Sequence, residues 1–450
     1  MSTKSKIVIL GFGSIGPAAI PLLLATSGLT PGDVLVIASD SSNFAVARQF
    51  NIPAAQETIN RDNYASVLEK YAKCGDILVN LAVGVSSPTL IEFCIARNIT
   101  YLDTGTDAWI DDVSDETSST FSRRESMKLI RSSHKASTTS VMSHGANPGL
   151  VSHFVKIGIR EFSAMCGEDR SIERIEHYAP VADQLGIDVI HITERDTQVA
   201  ATQRLIGEYV SPWSVDGYLG EMNEFVEFPR AVDEPAPFSH VPFENIGQGK
   251  VNAIRLKIKA SAFMTTSWEP LSGPYSGFVV PHPETYSIAE LLACDRGDGQ
   301  FRHPTVAFVY RPCPDALESA LDSTAVDWMG SKHKRLMMDE IRTGGESLGA
   351  LLVSRRLKAA LWVGSLLDIS EVRLAAPHNN ATTMQVAAGV VAGVAWAMAN
   401  PGRGVVEPEE LDSDMVLNLA RPYLGRLVVQ RVEWTKVAAV VERIGLGAPG

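Results

Sequence analysis

Apolar and polar positions fall into two regimes along this chain. Over the first 150 residues, short β-branched apolar runs at 7–10, 34–38, 76–82, 99–104 and 139–143 alternate with stretches of helical spacing at 43–50, 61–73, 88–97 and 118–133. Such runs suit strands buried on both faces, and their alternation with helices predicts an α/β fold built on a Rossmann-type doubly wound parallel sheet. The strands would end at Asn80, Asp103, Thr104 and His144 along one edge, where sheets of this kind bind ligands. Near residue 150 the pattern changes. Asn147 and Pro148 read as the cap and first residue of a helix running to Phe162. Strand-like segments at 189–193, 253–260 and 305–310 follow, separated by Pro- and Gly-rich loops, and residues 229–242, with four prolines, read as a loop. Residues 380–399 form a strongly apolar helix and 408–420 an amphipathic one. The expected organisation is a nucleotide-binding domain over 1–150, a mixed α+β substrate and dimerisation domain over 151–375, and a C-terminal helical segment over 376–450 that packs back on the first domain.

The first apolar run ends in Gly11, Gly13 and Gly16, spaced GxGxxG, and passes directly into a helix. In that setting Gly11 makes the turn, Gly13 lets a pyrophosphate approach the backbone, and Gly16 lets helix and strand pack closely. The amides around Ser14 and Ile15 then open the helix toward the phosphates. Asp40, just past the second strand, is the candidate for the ribose hydroxyls, and the nearest arginine, Arg48, is not beside it. NAD is therefore favoured over NADP. Asn80, Asp103, Thr104, His144, Asn147 and Pro148 are the further cofactor-side candidates.

Length and charge narrow the field. A chain of 450 residues exceeds what one core organises, and a net charge of −12 argues against a nucleic-acid partner while suiting a cationic ligand. Five scattered cysteines without a CxxC pair fit reduced thiols in a cytoplasmic protein. The apolar N-terminus imitates a secretion signal, but its glycines and prolines fit a first strand and helix better, and the run 386–398 is too short to span a bilayer. No membrane partner is expected. His144 and His153 lack metal-ligand spacing, and a homodimer is the default assembly.

Acids recur around an indole in mid-chain: Glu194 in Glu-Arg-Asp-Thr-Gln, Trp213 in Trp-Ser-Val-Asp-Gly, then Glu221 and Glu224. These motifs, with Gly11 to Gly16, Gly145-Ala146-Asn147-Pro148-Gly149, Asn380-Ala381-Thr382 and Tyr423-Leu424-Gly425, resemble the bacterial homospermidine synthases, a saccharopine-dehydrogenase-like family. The resemblance runs in order from residue 7 to about 435. It implies NAD-dependent oxidation of putrescine or spermidine to an imine, loss of ammonia or amine, condensation with a second putrescine, and reduction by the same NADH, with no net redox change. It also implies that Trp213 binds a cation, that Glu194 and Glu221 are the acidic substrate residues, and that His282 lines the substrate pocket. Asn147 would serve cofactor and substrate together, and Asn380 would lie near the nicotinamide. Asp107 replaces a glutamate of the family, Gly84 stands where the family has an aspartate, and Ala38 stands where an acid usually follows the second strand. Two other readings stay open: an opine- or saccharopine-type dehydrogenase that reduces an amine–keto acid imine, and a catalytically silent NAD-binding regulator.

Overall fold

In the computed structural model, described for residues 5–443 except 27, 113–118, 135–136, 168–171, 173, 233–240, 248, 298–299 and 323–332, the chain divides into two units. The first comprises Met1–Leu150 and Ser370–Leu424, the second Val151–Ile369 and Gly425–Gly450.

The first unit is built on a seven-stranded sheet in the order Gly404–Val406, Thr139–Val141, Thr100–Asp103, Ile77–Asn80, Ile7–Leu10, Val34–Ala38, Ala54–Gln56. Every pair in it is parallel, as the continuous apolar runs require. Strand order reverses at Ile7–Leu10, so the chain leaves this strand and its neighbour Ile77–Asn80 at the topological switch point. The helix Ala381–Ala399 is apolar on all sides and belongs to the core. It matches the apolar helix expected over 380–399, is longer than the 386–398 run weighed as a span, and is long and apolar enough to cross a membrane by length and composition, with 83% of its most apolar stretch buried.

The second unit carries a mixed seven-stranded sheet in the order Met264–Glu269, Gly273–Val280, Thr305–Arg311, Ile187–Asp196, Gly345–Ser354, Ala359–Asp368, Arg426–Val432. Its centre is Ile187–Asp196, parallel to Thr305–Arg311 and antiparallel to Gly345–Ser354. Val189, Leu351, Val353, Trp362 and Val432 fill the core on one side.

Several elements differ from the sequence reading. The strand expected over 189–193 runs from Ile187 to Asp196, because neighbours on both sides keep its charged end in the ladder. Glu194 is thus inside the strand and not at its end. Pro148 does not open a helix: its carbonyl accepts from Gly145 N at 2.7 Å, Gly149 turns the chain at φ +126°, and the helix is Leu150–Met165. Residues 408–420 split into a short 3-10 turn, Pro408–Glu410, and a helix, Ser413–Ala420. The segment after 376 is not purely helical, since it gives Gly404–Val406 to the first sheet and Arg426–Val432 to the second. Of the loop expected over 229–242, residues 233–240 lie outside the described residues.

Candidate active site

In the first unit the glycine turn is shaped for a dinucleotide. Gly11 has φ +91°, and a Cβ there would lie 2.6 Å from Ala82 N, so only glycine fits. Gly13 is exposed, with nothing within 4 Å of where its Cβ would be, which leaves bare backbone for a phosphate. A side chain on Gly16 would enter the Phe12 ring. Ile15 opens the helix Ile15–Thr26, and Ser14 is buried just before it. Two asparagines that sequence reasoning missed brace this turn: Asn43 Nδ2 donates to Gly13 O at 2.7 Å and to Phe12 O at 3.1 Å, and Asn379 Nδ2 donates to Ser14 O at 2.9 Å.

Asp40 is exposed, and its carboxylate accepts from Ser42 N and Ser42 Oγ, each at 2.9 Å. These bonds hold its carboxyl below the usual range, so it is an anion at neutral pH. An anion there suits ribose hydroxyls and repels a 2′-phosphate. The residues present fit NAD.

The other first-unit candidates are buried or half-buried. Asn80 Nδ2 donates to Tyr101 Oη at 3.3 Å, Tyr101 Oη donates to Asp103 Oδ2 at 2.9 Å, and Ser143 N donates to Asp103 Oδ1 at 2.5 Å. Burial pushes Asp103 up to about 7, against the pull of these hydrogen bonds. His144 contacts Gly389 O through Nδ1 at 2.9 Å, and burial holds it down at about 4, so the ring is neutral and Nδ1 is the donor. Asp103 and His144 thus act as internal struts in the structure. Asn147 and Thr104 are half-buried, and Pro148 is buried in the turn that closes on Gly145. Asp107 is half-buried, with its amide on Ser87 Oγ at 3.3 Å. Asn380 is fully buried and caps Ala381–Ala399 by accepting from Thr383 N at 2.9 Å.

In the second unit, Trp213 lies between the short strand Tyr209–Ser211 and the helix Val215–Asn223, which Ser214 caps by accepting from Gly217 N at 3.0 Å. The half-buried indole rests on Gly217, where a Cβ would come within 2.7 Å of the ring. Glu221, on the same helix, meets His282 Nε2 at 3.3 Å. The other ring nitrogen, Nδ1, meets both oxygens of Glu284 at 2.9 and 3.0 Å. Burial alone would depress His282, but the Glu284 carboxylate, with Glu221 opposite, lifts it well above the ordinary imidazole value. Removal from water pushes Glu221 up, and the bond from His282 resists this. The trio therefore holds two carboxylates for one imidazolium.

An aromatic strip leads away from this pole. His282 lies 4.5 Å from Phe308, Phe308 stacks at 5.9 Å on Tyr310, and Tyr218 meets Tyr310 edge-on at 6.1 Å. Glu194, 5% exposed, lies directly across the ladder from Tyr310. The structure thus brings Glu221 and His282 into contact and sets Glu194 at the other end of the strip. Glu284, Phe308 and Tyr310 were missed, although the sequence His-Pro-Glu at 282–284 carried the signal for the first. No group of three or more His, Cys, Asp or Glu able to hold a metal is present among the described residues.

Comparison with known proteins covers both units. Residues 7–141 match the family described as saccharopine dehydrogenase NADP binding domain, and residues 145–432 match saccharopine dehydrogenase C-terminal domain. The chain is 33% identical over 444 residues to a homospermidine synthase of Blastochloris viridis, covering 96% of this chain and 92% of that protein. It is 32% identical over 451 residues to a homospermidine synthase of Mesorhizobium japonicum, covering 95% and 90%. The crystal structure of the Legionella pneumophila homospermidine synthase in complex with NAD superposes with a TM-score of 0.87 at 33% identity, covering 96% of this chain and 92% of that one. Saccharopine dehydrogenase (L-Glu forming) of Saccharomyces cerevisiae shares the fold at a TM-score of 0.54 and 11% identity, covering 95% and 100%.

Proposed function

The chain belongs to the homospermidine synthase family of saccharopine-dehydrogenase-like proteins, and from that premise we propose that it joins two putrescine molecules into homospermidine with release of ammonia. One amine nitrogen loses a proton, and the adjacent carbon loses hydrogen with its electron pair, which leaves an imine. The nitrogen of a second putrescine bonds to the imine carbon, ammonia departs, and the new imine is reduced. NAD bound at the glycine turn supplies the hydride acceptor and then the donor, so the sum is redox-neutral.

The observation that carries this reading is the acid–imidazole–acid trio in the unit that also holds Trp213. A diamine arrives doubly charged, and one nitrogen must become neutral before the carbon beside it can give up hydride. Glu221 Oε1, with a carboxyl pushed up and 22% exposed, is the acceptor for that proton. His282 Nε2, held protonated by Glu284, keeps Glu221 ionised until the substrate cation is in place. The Trp213 face holds a cation without offering a proton acceptor, a contribution of about 0.5–2 kcal/mol. A keto acid would bring a further carboxylate into this acidic cluster, so the opine-type alternative gains no support.

The departures in the first unit fit the same reading. Gly84 has φ +73°, and a Cβ there would press on Ile110 at 3.1 Å, so this turn is built for glycine and not for an acidic clamp. Recognition of the amine then rests on the second unit. A cytoplasmic homodimer is part of the proposal, supported by cysteines that are all free and by the prevalence of two-fold assemblies. Incubation with putrescine and NAD, followed by chromatography, should yield homospermidine and ammonia without accumulating NADH. Absence of any triamine, or steady NADH formation, would overturn the assignment.

A further inference from the structure

The central strand of the second unit carries a second acidic pole. Side chains alternate along a strand, so Glu194 and Asp196 share one face of Ile187–Asp196. Across the ladder, Tyr310 lies opposite Glu194, and Glu346 lies opposite Asp196. Directly opposed residues are about 4.5–5.5 Å apart, and next-but-one residues about 7 Å, so three carboxyls and a phenol occupy one small patch. Arg195 and Arg311 of the same strands alternate to the other face, where Arg195 pairs with Glu269 at 3.2 Å.

The patch is closed to water: Asp196, Glu346 and Tyr310 are 3%, 2% and 2% exposed. Asp196 Oδ1 accepts from Gln198 N at 2.7 Å, whereas Asp196 Oδ2 and Tyr310 Oη make no hydrogen bond among the described residues. Unmet polar atoms of this kind, deep among like charges, cost stability unless a ligand completes them. The chemistry that would complete them is a cation with several N–H donors.

We propose that Asp196 and Glu346, with the Tyr310 hydroxyl, join Glu194, which the family resemblance already implies as an acidic substrate residue, in holding the far ammonium of a bound diamine, whose methylenes lie along Phe308 and Tyr310 toward the His282 pole. This deepens the function proposed above and rests on it for the identity of the diamine. A chain of methylenes with a charge at each end matches an apolar strip with carboxylates at each end. Burial pushes Asp196 up to about 7, as befits a carboxyl awaiting its cation, and an arriving ammonium would displace that proton.

The test compares putrescine with n-butylamine, which lacks the far ammonium. With equal amounts of both amines and NAD, the condensation products are homospermidine, N-butylputrescine and dibutylamine; the first two are compared, and N-butylputrescine arises whichever amine is oxidised. The ratio is an internal competition, so loss of part of the active enzyme cancels. We expect Asp196→Asn and Glu346→Gln each to lower the ratio of homospermidine to N-butylputrescine at least tenfold, with NAD affinity unchanged. An unchanged ratio in both overturns the proposed ammonium site. Should Asp196→Asn fail to fold by circular dichroism, Glu346→Gln and Tyr310→Phe carry the same reading. Calorimetric titration of the full-length protein separates the two proposals: putrescine binding should weaken at least tenfold in the variants while n-butylamine binding holds, whether or not turnover occurs. Equal weakening of both amines overturns the proposed ammonium site, and that contrast in binding without any triamine from the natural protein overturns the reaction alone.

Discussion

Each unit buries an acid beside neighbours within hydrogen-bond reach, and the two are treated in opposite ways. In the first unit Asp103 is surrounded by neutral donors, Tyr101 Oη and Ser143 N, and burial pushes it up to about 7. In the second, Glu284 is as deeply buried but touches His282, and the pair resolves into an ion pair with the imidazole lifted well above its ordinary value. A buried carboxyl thus serves as a strut among neutral donors or as the partner that raises an imidazole, according to whether a basic group was built beside it. The phosphates of an anionic dinucleotide gain from backbone dipoles, whereas a site for a dication needs standing negative charge.

The sharpest break of that contrast is Glu284→Gln. It removes the main cause of the raised His282, and turnover should fall about 100-fold, which corresponds to about 3 kcal/mol, the usual scale for removing one member of a buried charge pair. The stabilisation from the pair is full below the ordinary imidazole value and is lost as pH rises through the raised one, so the variant should lose this stability difference and shift the rate profile to lower pH. Rates and melting temperatures across pH, with NAD affinity as the unaffected control, check this.

A smaller effect, confined to the other unit, comes from Gly13→Ala. The added methyl meets no protein atom within 4 Å, so stability should hold while NAD affinity falls about tenfold, near the low end of the ~1–3 kcal/mol typical of overpacking. Fluorescence titration with NAD and an unchanged melting temperature would show it. The smallest effect on rate belongs to Asp103→Asn. Because the folded protein keeps this proton up to about pH 7 while the unfolded chain releases it near the ordinary carboxyl value, stability falls as pH rises between them, by up to about 1.4 kcal/mol per pH unit. The variant should flatten that slope, as read from denaturant unfolding at several pH values.

Legibility in the sequence followed the same division. Five strands of the first sheet could be read because parallel strands buried on both faces are unbroken apolar runs, whereas the mostly exposed edge strand Ala54–Gln56 and the distant Gly404–Val406 could not; Ala381–Ala399 could be read because a core helix is apolar all round. The far end of Ile187–Asp196 could not, since Glu-Arg-Asp resembles a loop until two flanking strands claim its backbone. Asn147-Pro148-Gly149 imitated a helix start, and only the positive φ of Gly149 with the bond to Gly145 made it a turn. The bond from Asn379 to Ser14 spans 365 positions, and Glu221 reaches His282 across 61. Spacing rules of a few residues carry no information at that range.

The segment that supplies Gly404–Val406 to one sheet and Arg426–Val432 to the other also sets an order of events during synthesis. A ribosome releases residues 7–141 first, yet their sheet gains its outermost strand only after some 260 further residues have emerged. Until then the strand Thr139–Val141 is an open edge, a template for mispairing with another nascent chain. The earliest-made part of this protein is therefore among the last to be sealed, and chaperone demand should peak before residue 404 appears.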